Sequence, residues 1–237
     1  MSLPKLSYPT FEVTVPSSGD KIKFRPFLVK EEKILLIAQT GGDAKEILNA
    51  IKQVVNNCIV TEKFDVEKLT TFDLEYIFIK LRSKSVNNVI KLSYRDGEDD
   101  EVYDFEVDLD KVEMKMDPEH SNKIKINDEG LGMILKYPRT DMIEKIGKVD
   151  TEIDVFFEVL KYCIEKVYDA ENVYDTKEYE AKDIEEFIQS LDVNTFKQIQ
   201  KFFETTPKLY YEMEYKNKLG KDKKIVLQNL TDFFTLG

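Results

Sequence analysis

The stretch Phe11-Glu12-Val13-Thr14-Val15-Pro16-Ser17-Ser18-Gly19-Asp20-Lys21-Ile22-Lys23-Phe24 decides the fold class. Apolar residues alternate with polar ones on both sides of a Pro/Ser/Gly/Asp cluster, the pattern of two antiparallel strands joined by a turn. Pro26 has no N–H to give to a ladder, so the second strand should end there or lie on an edge. The period then lengthens. Lys30–Gln39 and Asp43–Ile59 read as helices, the second with Ala44, Ile47, Leu48, Ile51, Val54, Val55 and Cys58 on one stripe. Gly41-Gly42 is expected to separate them.

Further along, Thr70 followed by Asp73 has the spacing of a capping box and opens a helix within Asp65–Val86. That helix carries apolar residues on several faces, as a central, buried helix would. Val89–Tyr94 and Val102–Leu109 alternate like strands around the turn signal Asp96-Gly97. The acidic tip, Asp96 to Asp100, is expected to be exposed and mobile, because adjacent carboxylates repel and are costly to bury. Leu131–Tyr137 fits a strand or a short helix. Thr151–Val167 is expected as one helix, and two more helices follow over Ala181–Leu191 and Asp192–Thr205, the latter capped by Asp192. The chain closes with a second hairpin, Leu209–Lys216 and Lys224–Leu227 around Leu219-Gly220-Lys221-Asp222, and a short tail from Leu230 to Leu236.

These elements add up to an α+β fold in which helices pack with antiparallel hairpins contributed by both chain termini. A lone two-stranded hairpin is marginal in water, so the expectation is that the two terminal hairpins share one sheet. By pattern the chain divides into 1–94 (N-terminal hairpin plus helices), 95–122 (an acidic insertion or hairpin) and 123–237 (C-terminal helices plus hairpin), or forms one composite domain.

Composition removes several functions. The net charge of −11 repels phosphate backbones, so nucleic-acid binding is not expected. The longest apolar runs, such as Ile34–Ala38, are far below the roughly 20 residues of a membrane helix, and Met1–Pro9 has no apolar leader core. An intracellular protein is expected. Cys58 and Cys163 sit among apolar residues at helical spacing and read as small buried hydrophobes. With one histidine and two cysteines there are too few ligands for a zinc site. No Gly-x-Ser-x-Gly elbow accompanies His120, which reads as an exposed loop residue. Gly41-Gly42 lacks the Lys-Ser/Thr that a phosphate-binding loop needs. No catalytic residue, metal or cofactor is therefore expected.

Three segments resemble a known family. Phe24-Arg25-Pro26-Phe27-Leu28-Val29-Lys30-Glu31-Glu32-Lys33, followed by Leu35-Leu36-Ile37-Ala38, resembles the N-terminal signature of baseplate hub proteins of T-even-like contractile-tailed bacteriophages. Phe72-Asp73-Leu74-Glu75-Tyr76 through Leu81-Arg82-Ser83-Lys84-Ser85-Val86 resembles a middle segment. Phe202-Phe203-Glu204-Thr205-Thr206-Pro207-Lys208-Leu209, then a hairpin, then Leu230-Thr231-Asp232-Phe233-Phe234, is similar to the C-terminal signature. Thr206 departs from it, standing where Met is frequent, and Asp96–Glu119 matches no part of the pattern.

The resemblance implies a non-enzymatic role in baseplate hub assembly, as a hub component or an assembly chaperone, through contacts with other phage hub or tail proteins. It places the protein in the host cytoplasm during assembly or in the tail baseplate of the virion. A generic acidic adaptor or regulator, and a carboxylate-dependent hydrolase, are the alternatives that composition leaves open. Within the N-terminal signature, Arg25, Lys30, Glu31, Glu32 and Lys33 are the candidate partner-binding residues, because charge there looks surplus to any core.

Overall fold

The computed structural model describes residues 6–41, 44–146 and 151–233. Among them are eleven strands and seven α-helices. The strands are β1 (Phe11–Thr14), β2 (Lys21–Phe24), β3 (Val89–Arg95), β4 (Val102–Asp108), β5 (Glu113–Lys115), β6 (Lys123–Lys125), β7 (Gly132–Leu135), β8 (Ile164–Tyr168), β9 (Val173–Asp175), β10 (Lys208–Lys216) and β11 (Asp222–Leu227). The helices are α1 (Val29–Gly41), α2 (Ala44–Cys58), α3 (Thr71–Ser85), α4 (Thr140–Lys145), α5 (Glu152–Cys163), α6 (Ala181–Gln189) and α7 (Val193–Glu204). All described sheet pairings are antiparallel, and the protein is α+β as expected.

Contacts divide the chain into one unit of residues 1–115 with 208–237, and a second of 116–207. β3 and β4 pair over their whole length inside the first unit.

The first unit is organised by α3. Thr70 caps it with a complete capping box: its Oγ1 accepts the Asp73 N–H, and Asp73 accepts the Thr70 N–H. Asp73 also accepts the N–H and hydroxyl of Ser17 at 2.9 and 2.6 Å, tying the first turn of α3 to the β1–β2 turn. Leu74, Ile77 and Leu81 face one core with Val13, Ile22, Phe24, Val54 and Val55. Ile79 faces another with Leu92, Val107, Leu209, Leu227 and Phe233. Apolar side chains on several faces thus make a helix buried between two layers.

The two terminal hairpins do not share a sheet, contrary to the sequence expectation. β1–β2 is a sheet of its own, whereas β10 pairs with β11 on one side and with β5 on the other. Each hairpin finds its missing partner surface on α3 instead. Gly41 is the last residue of α1, and Gly42 lies outside the described residues, as does the tail beyond Phe233.

In the second unit the sheet β6-β7-β8-β9 buries Ile124, Met133, Leu135 and Ile164 against Leu160 of α5, Ile188 of α6 and Ile199 and Phe202 of α7. Leu131–Tyr137, ambiguous in sequence, forms β7. The helix expected over Thr151–Val167 stops at Cys163, where Ile164 turns extended (φ −71°, ψ 116°) and starts β8. Ile164 and Val167 satisfy helical and strand periods alike. Pairing of Val167 with Met133 and of Tyr168 with Gly132 settles it, because β-branched residues pack well on a pleated surface. Gly132 suits that position, since a Cβ would collide with the Tyr168 side chain and come within 2.9 Å of the Ile124 backbone carbonyl.

Two loop expectations change in part: in the Asp96–Asp100 tip Gly97, Glu98 and Asp100 are exposed as expected, but Asp96 is not. Asp96 is only 4% exposed. It accepts the Tyr215 hydroxyl at 2.9 Å, the Asn217 amide at 3.3 Å and the Glu98 N–H at 2.8 Å. Glu98 pairs with Lys221 and Lys223, Glu101 with Lys218, and Asp100 with Arg95. Lysines of the β10–β11 hairpin offset Glu98 and Glu101, Arg95 offsets Asp100, and Tyr215 packs among Tyr94, Tyr103 and Phe105. His120 is half-buried rather than exposed. Its ring bridges the hydroxyls of Thr205 and Tyr137, both at 2.9 Å, and stacks on Tyr137. Burial lowers its pKa.

Candidate functional site

Arg25 and Glu31, expected on the surface, form a bidentate ion pair at the junction of β2 and α1. Glu31 is fully buried, and its oxygens lie 3.0 and 3.3 Å from the Arg25 guanidinium. Glu31 sits three residues past Leu28, which precedes α1, and its Oε2 accepts the Leu28 N–H at 2.9 Å. That is half of a capping box, in which an acid satisfies an N–H that the helix leaves free. Arg25 also donates to the Pro26 carbonyl at 2.8 Å and to the Asn57 carbonyl at 3.0 Å, in the last turn of α2. A cation at a helix C-terminus meets the negative end of the macrodipole.

One ion pair therefore joins the start of α1 to the end of α2 and to β2. Burial alone would raise the Glu31 carboxyl, but hydrogen bonds from Arg25 and Leu28 outweigh it and hold the pKa below its usual value. Arg25 is shifted upward by the same partner against its own desolvation. Cys58, whose Sγ lies 3.6 Å from Arg25, is pushed up to about 11 by burial and stays a thiol at neutral pH.

The outer face of α1 is different. Ile34, Leu35 and Ala38 turn inward. Five successive apolar residues, Ile34–Ala38, cannot all point inward from one helix, because each turn of 3.6 residues presents every side. Leu36 and Ile37 are accordingly exposed, at 54% and 63%, and Val29, about two turns earlier on the same side, is 86% exposed. Lys30 and Lys33 stand exposed beside them and Glu32 is half-buried. Of the five sequence-chosen residues, Arg25 and Glu31 are thus committed to internal structure, which leaves Lys30, Glu32 and Lys33 on the surface. The run Ile34–Ala38 could have signalled the exposure of Leu36 and Ile37, whereas that of Val29 has no such signal.

The C-terminal signature serves packing in its first half. Phe202 is buried against His120 and Tyr137, Phe203 meets Phe156 edge-on, and Pro207 is buried. Among the described residues no cluster of three His, Cys, Asp or Glu side chains is placed to hold a metal. No described helix is long and apolar enough to cross a membrane.

A family model described as T4 bacteriophage base plate protein matches residues 8–235. No curated protein and no solved structure matches the chain.

Proposed function

From the premise that this chain belongs to the T4 bacteriophage base plate protein family, and so acts with other proteins of the phage tail baseplate, we propose that it takes part in assembly of the baseplate hub. It does so without chemistry of its own, as a hub component or as a chaperone that meets hub subunits in the host cytoplasm. The observation that carries this reading is the outer face of α1, where Val29, Leu36 and Ile37 are exposed beside Lys30 and Lys33. The apolar surface that Leu36 and Ile37 leave in water contributes nothing to folding. Covered by a partner they are worth on the order of 25 cal/mol per Å² of apolar area, and flanking lysines select acidic surfaces.

The test is a phage carrying Lys33→Glu, and a second carrying Leu36→Ser with Ile37→Ser. Both purified proteins should keep wild-type circular dichroism and melting, while infectious tails fall at least about tenfold, the loss expected for roughly 1.4 kcal/mol of contact energy. Arg25 and Lys30 are left alone, since both pair with the buried Glu31 carboxylate, at 3.0 and 3.4 Å, and reversing either would set a second carboxylate against it. Normal tail yield with both folded variants overturns the assignment of this face. Presence of the protein in purified mature tails identifies a hub component, and absence identifies a chaperone.

A further inference from the structure

The second unit contains a cavity of about 420 Å³ between the sheet and α6. This lies in the lower part of the roughly 300–1,000 Å³ range of ligand-sized clefts. Ile164 and Val167 from β8, Tyr174 from β9, Leu131, and Ile184 and Phe187 from α6 line it. The apolar walls follow from topology. β8 lies inside the sheet, and α6 covers that face only in part, so Val167, Ile184 and Phe187 stay partly buried around the fully buried Ile164. The rim is acidic. Asp183 stands in the first turn of α6, where it accepts the Glu180 N–H, and Asp169 accepts the Tyr174 hydroxyl at 2.7 Å and the N–H groups of Glu171 and Asn172. These bonds, that of Tyr174 foremost, hold the Asp169 carboxyl below its usual range, so it is ionised at neutral pH. Residues 165–186 carry nine carboxylates against three lysines, and one of those lysines, Lys182, already pairs with Glu186. Tyr179, 46% exposed, stands at the mouth.

An apolar slot within an acidic rim selects a ligand that is apolar at its tip and cationic around it. We propose that this cavity seats an aromatic or large aliphatic side chain of a basic segment from another protein, with lysine or arginine on either side meeting the Asp169 and Asp183 rim. The inference rests on the reading that the protein works through protein contacts, but it concerns a site separate from α1. A buried anchor in a preformed slot is the usual centre of binding energy, and the charges around it set specificity and association rate. The acidic rim disfavours nucleotides and phosphorylated ligands.

The full-length protein, labelled with nitrogen-15, is titrated with an acetylated pentapeptide of two lysines, a phenylalanine and two lysines. Amide resonances of Thr176, Ile184 and Phe187 should move, with a Kd on the order of 0.1–1 mM, weakening several-fold at about 0.5 M salt. Tyr179→Ala should weaken binding roughly tenfold. Asp183→Asn, which keeps the acceptor for Glu180, should weaken it about threefold. An unchanged spectral dispersion shows that both variants fold.

Four results each overturn the proposal. The first is a peptide with glycine for phenylalanine, or glutamates for lysines, that binds as well as the original. The second is acetylphenylalanine amide binding as tightly as the peptide, which makes the cavity a small-molecule site. The third is resonance changes outside the cavity, or none at several millimolar. The fourth is shifts that depend on protein concentration alone and vanish in Tyr179→Ala, which assigns the cavity to a second copy of this chain. None of these outcomes bears on tail assembly by the α1 variants, so the two readings fail separately.

Discussion

Replacing Glu31 by Ala tests how the N-terminal signature folds. The wild-type side chain is fully buried and receives two bonds from Arg25 and one from the Leu28 N–H. Breaking a buried ion pair by removing one partner costs about 3–5 kcal/mol, because the other charge is left uncompensated. The Arg25 side chain is 17% exposed and keeps the Pro26 and Asn57 carbonyls, which points to the lower end of that range. The lost bond to the Leu28 N–H adds about 1 kcal/mol. Glu31→Ala should therefore destabilise the first unit by about 3–4 kcal/mol, a large share of a typical 5–15. Glu31→Gln, which keeps an acceptor for Leu28, should cost about 2.

Because the chain forms two compact units, urea unfolding by circular dichroism should be paired with hydrogen exchange of α3 amides, which report on the first unit alone. Combining Glu31→Leu with Arg25→Met should cost less than the two single changes together, by at least about 1.5 kcal/mol. The pH dependence has a fixed sign. The folded pKa of Glu31 lies below its ordinary 4.5, so its stabilisation is complete above that value. It is lost as pH falls through the folded pKa. A cost below about 1 kcal/mol for Glu31→Ala, or strictly additive single changes, would refute the argument.

Glu75, in the buried helix α3, gives the opposite pH dependence. Burial, with the Asp232 charge second, raises its pKa to about 7, so the unfolded chain ionises first and stability falls as pH rises from about 4.5 to 7, by roughly 2–3 kcal/mol. Glu75→Gln should raise the melting temperature at pH 8 and change little at pH 4, and parallel melting profiles for the two proteins would sink this assignment. Asp96→Ala should strand the Tyr215 hydroxyl and the Asn217 amide, lowering hydrogen-exchange protection at the β3–β4 tip roughly tenfold or more while leaving β6–β9 unchanged. Unaltered protection at that tip would mean that the lysine pairs alone hold the loop.

Much of this architecture was legible in the sequence because it is encoded over a few residues. The alternation in Phe11–Phe24 gave both strands and their turn. Thr70 with Asp73, and Asp192 before Val193, marked helix starts because a cap acts on N–H groups two or three residues away. The paired signatures around Phe24 and Phe202 also carried the family. What depended on distant partners was not legible. The stretch Ile164–Val167 suits helix and strand alike, and only the facing residues of β7 decide between them.

The same holds for charge. Asp96–Glu101 looks like a repelling tip until Lys218, Lys221 and Lys223, more than a hundred residues later, fold against it. Glu31 looks like surface charge until Arg25 and the end of α2 enclose it. The sequence by itself determined periodicity, caps and turns, which are short-range. Burial of charge was decided by tertiary structure alone, because the free energy of an ion depends on the partners and dielectric that the rest of the chain brings to it.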